Sequence, residues 1–194
     1  MKLLLLAFAT LLATAVGCVI HGCECPIYDV LNTYPNFEER SYPDSVWVTA
    51  ESISKFGYIA SSKNNLKLMR YWYKKNTKAL RINCTYPVRE MWTHKIGGVK
   101  VKTSYLLPSA LYVDPPIPID PTVKIDKQTA THLVARQFSG MPVLESQWDS
   151  QAKILANSAT KVLHNVDTSK YYACTYDPFW MPFKRTNEVW MLMK

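Results

Sequence analysis

The chain has 194 residues, 48% of them apolar and 20% charged, and its twelve tyrosines, six tryptophans and twelve prolines stand against only six glycines. This excludes a disordered chain and fits one globular domain of ordinary size, built from aromatic-rich strands and rigid turns. The net charge of +8 favours acidic partners such as phosphates, carboxylates or anionic lipid heads, yet Lys and Arg are scattered without a run longer than two, which reads first as a solvated surface rather than a nucleic-acid groove.

From the N-terminus, Lys2 is followed by the uncharged, apolar stretch Leu3–Val16 and then by small residues at Ala15 and Gly17. This predicts a cleaved secretory signal over residues 1–17. Read on to Ile20, the run is just long enough to cross a bilayer. Thr10, Thr14 and Gly17 weaken it, however, and no Lys/Arg cluster follows, so no stable membrane anchor is expected. A lipoprotein site ending at Cys18 lacks the usual Leu three residues earlier. Secretion places Cys18, Cys23, Cys25, Cys84 and Cys174 in an oxidising compartment. Five is odd, so one thiol is free, intermolecular or removed with the signal. Cys23-Glu24-Cys25 is too tightly spaced for a zinc knuckle and has no second Cys/His pair, so no metal is expected there. Asn83-Cys84-Thr85 is a glycosylation sequon, meaningful only in a secreted chain.

Strands are predicted at Phe37–Tyr42 and Val46–Glu51, joined by the turn Pro43-Asp44. A helix follows at Gly57–Asn76, then strands at Ala79–Tyr86 and Val99–Leu107. The stiff connector Asp114-Pro115-Pro116-Ile117-Pro118 interrupts the pattern, because proline fixes φ and lacks the N–H of a ladder. Strands at Thr122–Asp126 and His132–Phe138, a helix at Leu144–His164, and strands at Lys170–Tyr176 and Asn187–Met193 complete the chain. Strand, strand, helix, strand, strand thus occurs on both sides of the connector. Phe37–Tyr42 aligns with 122–127, Val46–Ser52 with Leu133–Ser139, Cys84–Pro87 with Cys174–Pro178, and Ser104–Pro108 falls near Val189–Met193. The offsets are nearly constant, which predicts a tandem pair of ββαββ units whose small sheets close on one another. If Asn83 points outward on its strand, Cys84 points inward, and by the repeat so does Cys174. The two are either small core residues or a disulfide between the halves.

The residues also resemble a family. Cys25-Pro26-Ile27-Tyr28-Asp29-Val30, Phe37-Glu38-Glu39-Arg40-Ser41-Tyr42 and Val46-Trp47-Val48 look like the opening of the SOUL haem-binding proteins. Cys84-Thr85-Tyr86-Pro87-Val88 is close to that family's Met-Thr-Ala-Pro-Val, the segment from Pro115 to Ile125 matches its central connector, and Val134–Gly140 resembles its Val-Arg-x-Phe-x-Gly. Arg185-Thr186-Asn187-Glu188-Val189-Trp190 resembles its closing motif. No single motif is diagnostic; their order is. The resemblance implies an α+β fold over residues 26–194: a distorted eight-stranded antiparallel β-barrel with two helices, built from the tandem ββαββ pair. It also implies a carrier or buffer of haem and other tetrapyrroles, not an enzyme, with the ligand in an apolar groove between the first helix and the loop before the last strand.

Haem requires a flat apolar surface, cations for two propionates and, optionally, an axial ligand. By the resemblance, Leu68, Tyr71 and Trp72 face the core. Ile59, Ser62, Leu66, Met69 and Tyr73 form a second stripe, readable as a ligand platform or as a wider buried face. In the loop Phe179–Arg185, Trp180, Met181 and Phe183 are large and apolar, which marks a binding surface or a loop folded onto its own barrel end. Related proteins tend to carry a Lys near Met181; here Lys184 and Arg185 must supply the charge, with Arg70, Lys74 or Lys75. Some relatives have a His where Ser41 stands, and His21, His94, His132 and His164 read as surface residues. No metal ligand is assigned; Met69, Met181 or a water are the axial candidates. Binding is expected to be loose, dominated by apolar contact, and tolerant of metal-free porphyrin. Catalytic motifs are lacking, and Glu188 is expected in a structural ion pair with Arg40 or Arg136. The alternative is an extracellular protein-interaction module that uses the Trp180–Phe183 loop and the second helix.

Overall fold

The fold comes from a computed structural model that describes residues 18–178, 181 and 185–194; the expected signal peptide lies outside the described residues. Strand β1 (Cys18–Ile20) turns at His21 and Gly22 into β2 (Cys23–Cys25). Both turn residues have positive φ, 50° and 75°, the geometry of a two-residue hairpin. Cys18 and Cys25 are cross-strand partners and form a disulfide. A second disulfide joins Cys23 to Cys84. Cys174 is a buried free thiol, so of the two alternatives it is the small core residue, and no disulfide joins it to Cys84. Cys84 is also exposed rather than inward, because residues 79–86 are not the predicted strand. They form an irregular segment held by isolated contacts, Ile82 N–H to Trp72 O at 3.1 Å and Thr85 Oγ1–H to Leu106 O at 2.6 Å.

The remaining strands are β3 (Asp29–Tyr34), β4 (Phe37–Tyr42), β5 (Ser45–Ser54), β6 (Val88–Lys95), β7 (Gly98–Leu106), β8 (Val123–Gln128), β9 (Thr131–Ser139), β10 (Tyr172–Thr175) and β11 (Thr186–Leu192). Helix α1 (Gly57–Trp72) follows β5, and α2 (Glu145–Ala159) follows β9. All nine strands join one antiparallel sheet in the order β3-β4-β9-β11-β10-β6-β7-β5-β8. The sheet is curled into a half-barrel with edges at β3 and β8, rather than a closed eight-stranded barrel. The α+β class and the two helices are as expected; β3 and β6 were not. β6 lacks clean alternation, since Arg89 is buried among apolar neighbours.

With the edge strand β3 set aside, exchanging β4-β5-α1-β6-β7 with β8-β9-α2-β10-β11 turns the order of the other eight strands into its own reverse. The matched tetrapeptides do not share that relation: Cys174 lies within β10, whereas Cys84 precedes β6.

Side-chain alternation divides the core between the two faces. Val134, Ala173 and Val189 pack under α2 against Trp148, Ala152 and Leu155. Val46, Val48 and Ala50 pack under α1 against Leu68, Tyr71 and Trp72. Their neighbours on the inner face, Trp47, Leu133, Cys174 and Trp190, form an aromatic cluster with Tyr42 and Tyr176. Inside it lies a buried ion pair. Arg40 Nη1 and Nη2 donate to Glu188 Oε2 and Oε1 at 3.0 and 2.9 Å, and Tyr176 Oη–H and Trp190 Nε1–H donate to Oε2, each at 2.7 Å. The partner is Arg40, not Arg136, which instead reaches Gln151 and Asn36.

Removing one member of a buried, fully bonded pair costs about 3–5 kcal/mol. Glu188→Gln should therefore lower the urea midpoint by an equivalent amount at unchanged m, and Arg40→Met with Glu188→Leu should recover most of it. A second test concerns Glu90, under α1, which accepts from Ser61 Oγ at 2.6 Å and Thr103 Oγ1 at 2.9 Å with no cation beside it. Burial raises its pKa above the ordinary 4.5, against the hydrogen bonds that lower it. A raised folded-state pKa means that this group's contribution is fully present below about 4.5 and is lost as pH rises. Glu90→Gln keeps both hydroxyl bonds and removes the charge. Its stability relative to the native chain should rise between pH 4.5 and pH 7, read from urea midpoints; a constant difference would refute the assignment.

Candidate functional site

Helix α1 begins without a side-chain cap at Phe56 and carries no acid in its first turn. Packing, not capping, holds it. Ala60, Asn64, Leu68, Tyr71 and Trp72 are buried, and Asn64 Nδ2 donates to Val101 O at 2.8 Å and to Thr103 Oγ1 at 3.2 Å. The helix stops four residues before the predicted Asn76. Lys74 takes a left-handed φ of 73°, and the buried Asn76 side chain donates to Tyr71 O and Leu80 O while accepting from the N–H groups of Lys78 and Leu80. Tyr71 Oη–H reaches past the helix to Pro116 O at 2.7 Å. Burial pushes its pKa up to about 12, so it remains a donor at neutral pH. That bond lays the proline connector along the C-terminal half of α1.

The face turned away from the core carries the second stripe. Leu66, Met69 and Tyr73 are 52%, 48% and 58% exposed, and Ile59 is half-buried at the start of the stripe. The stripe is therefore not a wider core face. Lys63, Lys67 and Arg70 run beside it at i, i+4 and i+7. None of these, nor Lys74 or Lys75, forms an ion pair among the described residues. On the far side of the cations lies a depression of about 270 Å³, lined by Lys67, Arg70, Tyr71, Lys75 and the connector residues Pro118, Ile119 and Asp120. Asp120 is held below the usual carboxylate range by its hydrogen bonds from Thr122, with Lys67 and Arg70 adding to the effect. Lys67, Pro118, Ile119 and Asp120 were not singled out from sequence. Lys67 was legible from the lysine spacing, while the connector's position depends on the Tyr71 bond.

Of the loop before β11, Trp180, Phe183 and Lys184 lie outside the described residues. Met181 is 37% exposed and tied into its own loop: its N–H donates to Pro178 O at 3.1 Å, and its carbonyl accepts from Arg185 Nη1 at 3.4 Å. Arg185 is buried, with Nη1 and Nη2 each donating at 2.8 Å to Pro178 O and Asp177 O, so it braces the loop instead of offering a free charge. His21 Nε2 stands 2.7 Å from Asp177 Oδ1, which ties the disulfide-bonded hairpin to the same loop. His94 faces Glu145 and His132 faces Glu39, and no described histidine lies on α1.

The arrangement fits a tetrapyrrole in part. Apolar side chains and unpaired cations adjoin on one helix, as ring and propionates require. The depression alone is too small to enclose such a ring, so contact would spread over the open helix face.

Comparison with known proteins agrees with this. Residues 23–192 match the family model described as SOUL heme-binding protein. Heme-binding protein 1 of Xenopus laevis is 29% identical over 159 residues, covering 80% of this chain and 83% of that protein. Heme-binding protein 2 of Homo sapiens is 27% identical over 162 residues, covering 82% and 78%. Among solved structures, a hydrolase from Listeria innocua superposes with a TM-score of 0.58 at 12% identity over 84% of this chain and 94% of that one. The EcmrR C-terminal domain gives 0.57 at 11% over 86% and 98%. At such identities these two share the fold alone. Matched over nearly its whole described length, with the motifs in order and the helix face laid out as above, the chain belongs to the SOUL heme-binding protein family.

Proposed function

We propose that this chain binds haem and related tetrapyrroles, without catalysing a reaction, on the outer face of α1, and that it does so after secretion. The observation that carries the reading is the exposed stripe Leu66, Met69 and Tyr73 beside the unpaired Lys67, Arg70 and Lys74. The ring lies over the apolar stripe, and the propionates meet the cations. Ile59 begins the same stripe, and the family resemblance implies that Trp180, Met181, Phe183 and Lys184 of the loop before β11 contribute to the site. With no histidine on the helix, apolar contact dominates and the iron contributes little. Other flat apolar anions compete for the same surface.

Secretion is supported by the apolar leader and by two disulfides in the described chain. In that compartment Asn83, exposed within its sequon, carries a glycan.

Two measurements test these statements. Hemin added to the refolded chain should shift the Soret band at micromolar ligand. Leu66→Ser with Met69→Ser should weaken binding about tenfold or more through the lost apolar contact, and Arg70→Ala should weaken it further. Protoporphyrin without iron should bind within about tenfold of hemin, a difference under about 1.4 kcal/mol. The absence of a Soret shift, or wild-type affinity in the double variant, would reject the site. Separately, intact mass of the protein secreted from a eukaryotic host should begin at Cys18, show one free thiol and lose a glycan on enzymatic deglycosylation. A retained leader or an unmodified Asn83 would contradict the secretory reading.

A further inference from the structure

We propose that the outer face of α1, with the turn that follows it, docks on the anionic headgroups of a lipid bilayer. This goes beyond tetrapyrrole binding and does not depend on it, although the two share a surface. The first observation is where the charge lies. Residues 55–81 contain eight Lys and Arg and no Asp or Glu, so this one segment carries the chain's whole net charge of +8 and the rest is neutral. Lysines that look scattered in sequence are gathered by the fold on α1 and its C-terminal turn. Lys63, Lys67, Arg70, Lys74 and Lys75 have no carboxylate partner among the described residues; Asp120 lines the adjoining depression, and Asp114 pairs with Lys78 of the turn.

The second observation is what flanks the cations. On one side stand Leu66, Met69 and Tyr73, all about half exposed. On the other, the connector presents Ile117 and Ile119, 62% and 61% exposed, fixed against the turn by Thr77 N–H to Ile117 O at 2.9 Å and Ile119 N–H to Lys75 O at 3.4 Å. A row of cations between two apolar margins matches the layering of a membrane interface, where charge meets headgroups and apolar side chains enter the acyl boundary. A small anion would engage one or two of these cations and none of the margins. A soluble polyanion would leave the margins in water. Among the described residues no helix is long and apolar enough to cross a membrane, so the contact is peripheral.

The test is cosedimentation of the disulfide-intact, haem-free chain with vesicles of phosphatidylcholine, alone or with about 30 mol% phosphatidylserine. Binding is expected only to the anionic vesicles and should fall steeply from about 0.1 M to about 0.5 M salt, as the screening length shortens. Lys67→Ala with Arg70→Ala and Lys74→Ala should lower the partition about 100-fold, at about fivefold per charge removed. Leu66→Ser with Met69→Ser should lower it about tenfold through lost apolar insertion. All five side chains point away from the core, and circular dichroism checks that each variant folds; the salt and lipid dependence of the unaltered chain needs no variant. Equal binding to both vesicle types, no binding, indifference to both variants, or retention on a sulfated polysaccharide without vesicle binding would each overturn the proposal. Hemin titration without lipid runs in parallel. A Soret shift without vesicle binding rejects the bilayer alone, and vesicle binding without a Soret shift rejects the tetrapyrrole alone.

Discussion

A carboxylate and a guanidinium share the inside of the half-barrel. Glu188 belongs to β11 and Arg40 to β4, and both strands flank β9 without touching each other. Their bidentate contact therefore spans a strand and fixes the relative register of three. Isolated, either charge would be intolerable at that depth. Together, with Tyr176 and Trp190 donating to the carboxylate, Tyr42 Oη accepting from Arg40 Nη1 and the Tyr28 ring 4.3 Å from the guanidinium carbon, nearly every lone pair and proton is met. A slip of β4 by one residue would turn Arg40 to the other face and strand Glu188. Whatever the pair adds to net stability, it excludes alternative pairings.

A second buried guanidinium is handled differently. Arg89 lies between the rings of Trp47 and Tyr172, its carbon 3.6 and 4.7 Å from their centroids, and donates to Gln128 Oε1 at 2.9 Å. Burial lowers its pKa, and aromatic faces stand where a carboxylate would otherwise be needed. The inner face is thus filled by aromatic rings and by polar groups that are mostly paired, Arg89 Nε being left without a hydrogen-bond partner. α1 is seated by polar hooks, Asn64 and Ser61 beneath and Tyr71 at its end, so its outer apolar residues are not required to hold it down. That is the physical reason why Leu66 and Met69 can remain uncovered.

Sequence reading succeeded where one periodicity ruled. β4 was placed at its observed limits, and the six other strands that were found lay within a few residues of theirs, because each is a short run rich in β-branched, aromatic or apolar residues bounded by turn signals. It failed where local geometry is set by a distant partner. Residues 79–86 read as a strand from composition, but the Cys23–Cys84 bond and the Thr85–Leu106 contact hold them out of the ladder. β6 was missed because its inward residue is an arginine. Cysteine pairing was illegible for the usual reason, that separation in space is not written in spacing. On the site, helical spacing picked out the second stripe of α1 and the resemblance turned the opposite face to the core, but its exposure was open until the fold was seen, and the connector wall depended on one tyrosine hydroxyl.

The Asn83 sequon has an awkward setting once folding is complete. Its hydroxyl residue, Thr85, is buried and engaged with Leu106 O, its middle residue is covalently tied to the N-terminal hairpin, and the Asn83 carbonyl accepts from Trp72 Nε1 at 3.0 Å. The asparagine side chain is exposed, but the hydroxyl of Thr85 is not. An oligosaccharyltransferase that must grip all three residues in an extended loop can do so only on the nascent chain, before Cys84 is oxidised. If the chain is secreted and glycosylated as proposed, sugar transfer and thiol oxidation compete at neighbouring positions, and the fraction of molecules bearing a sugar would record which came first during biosynthesis.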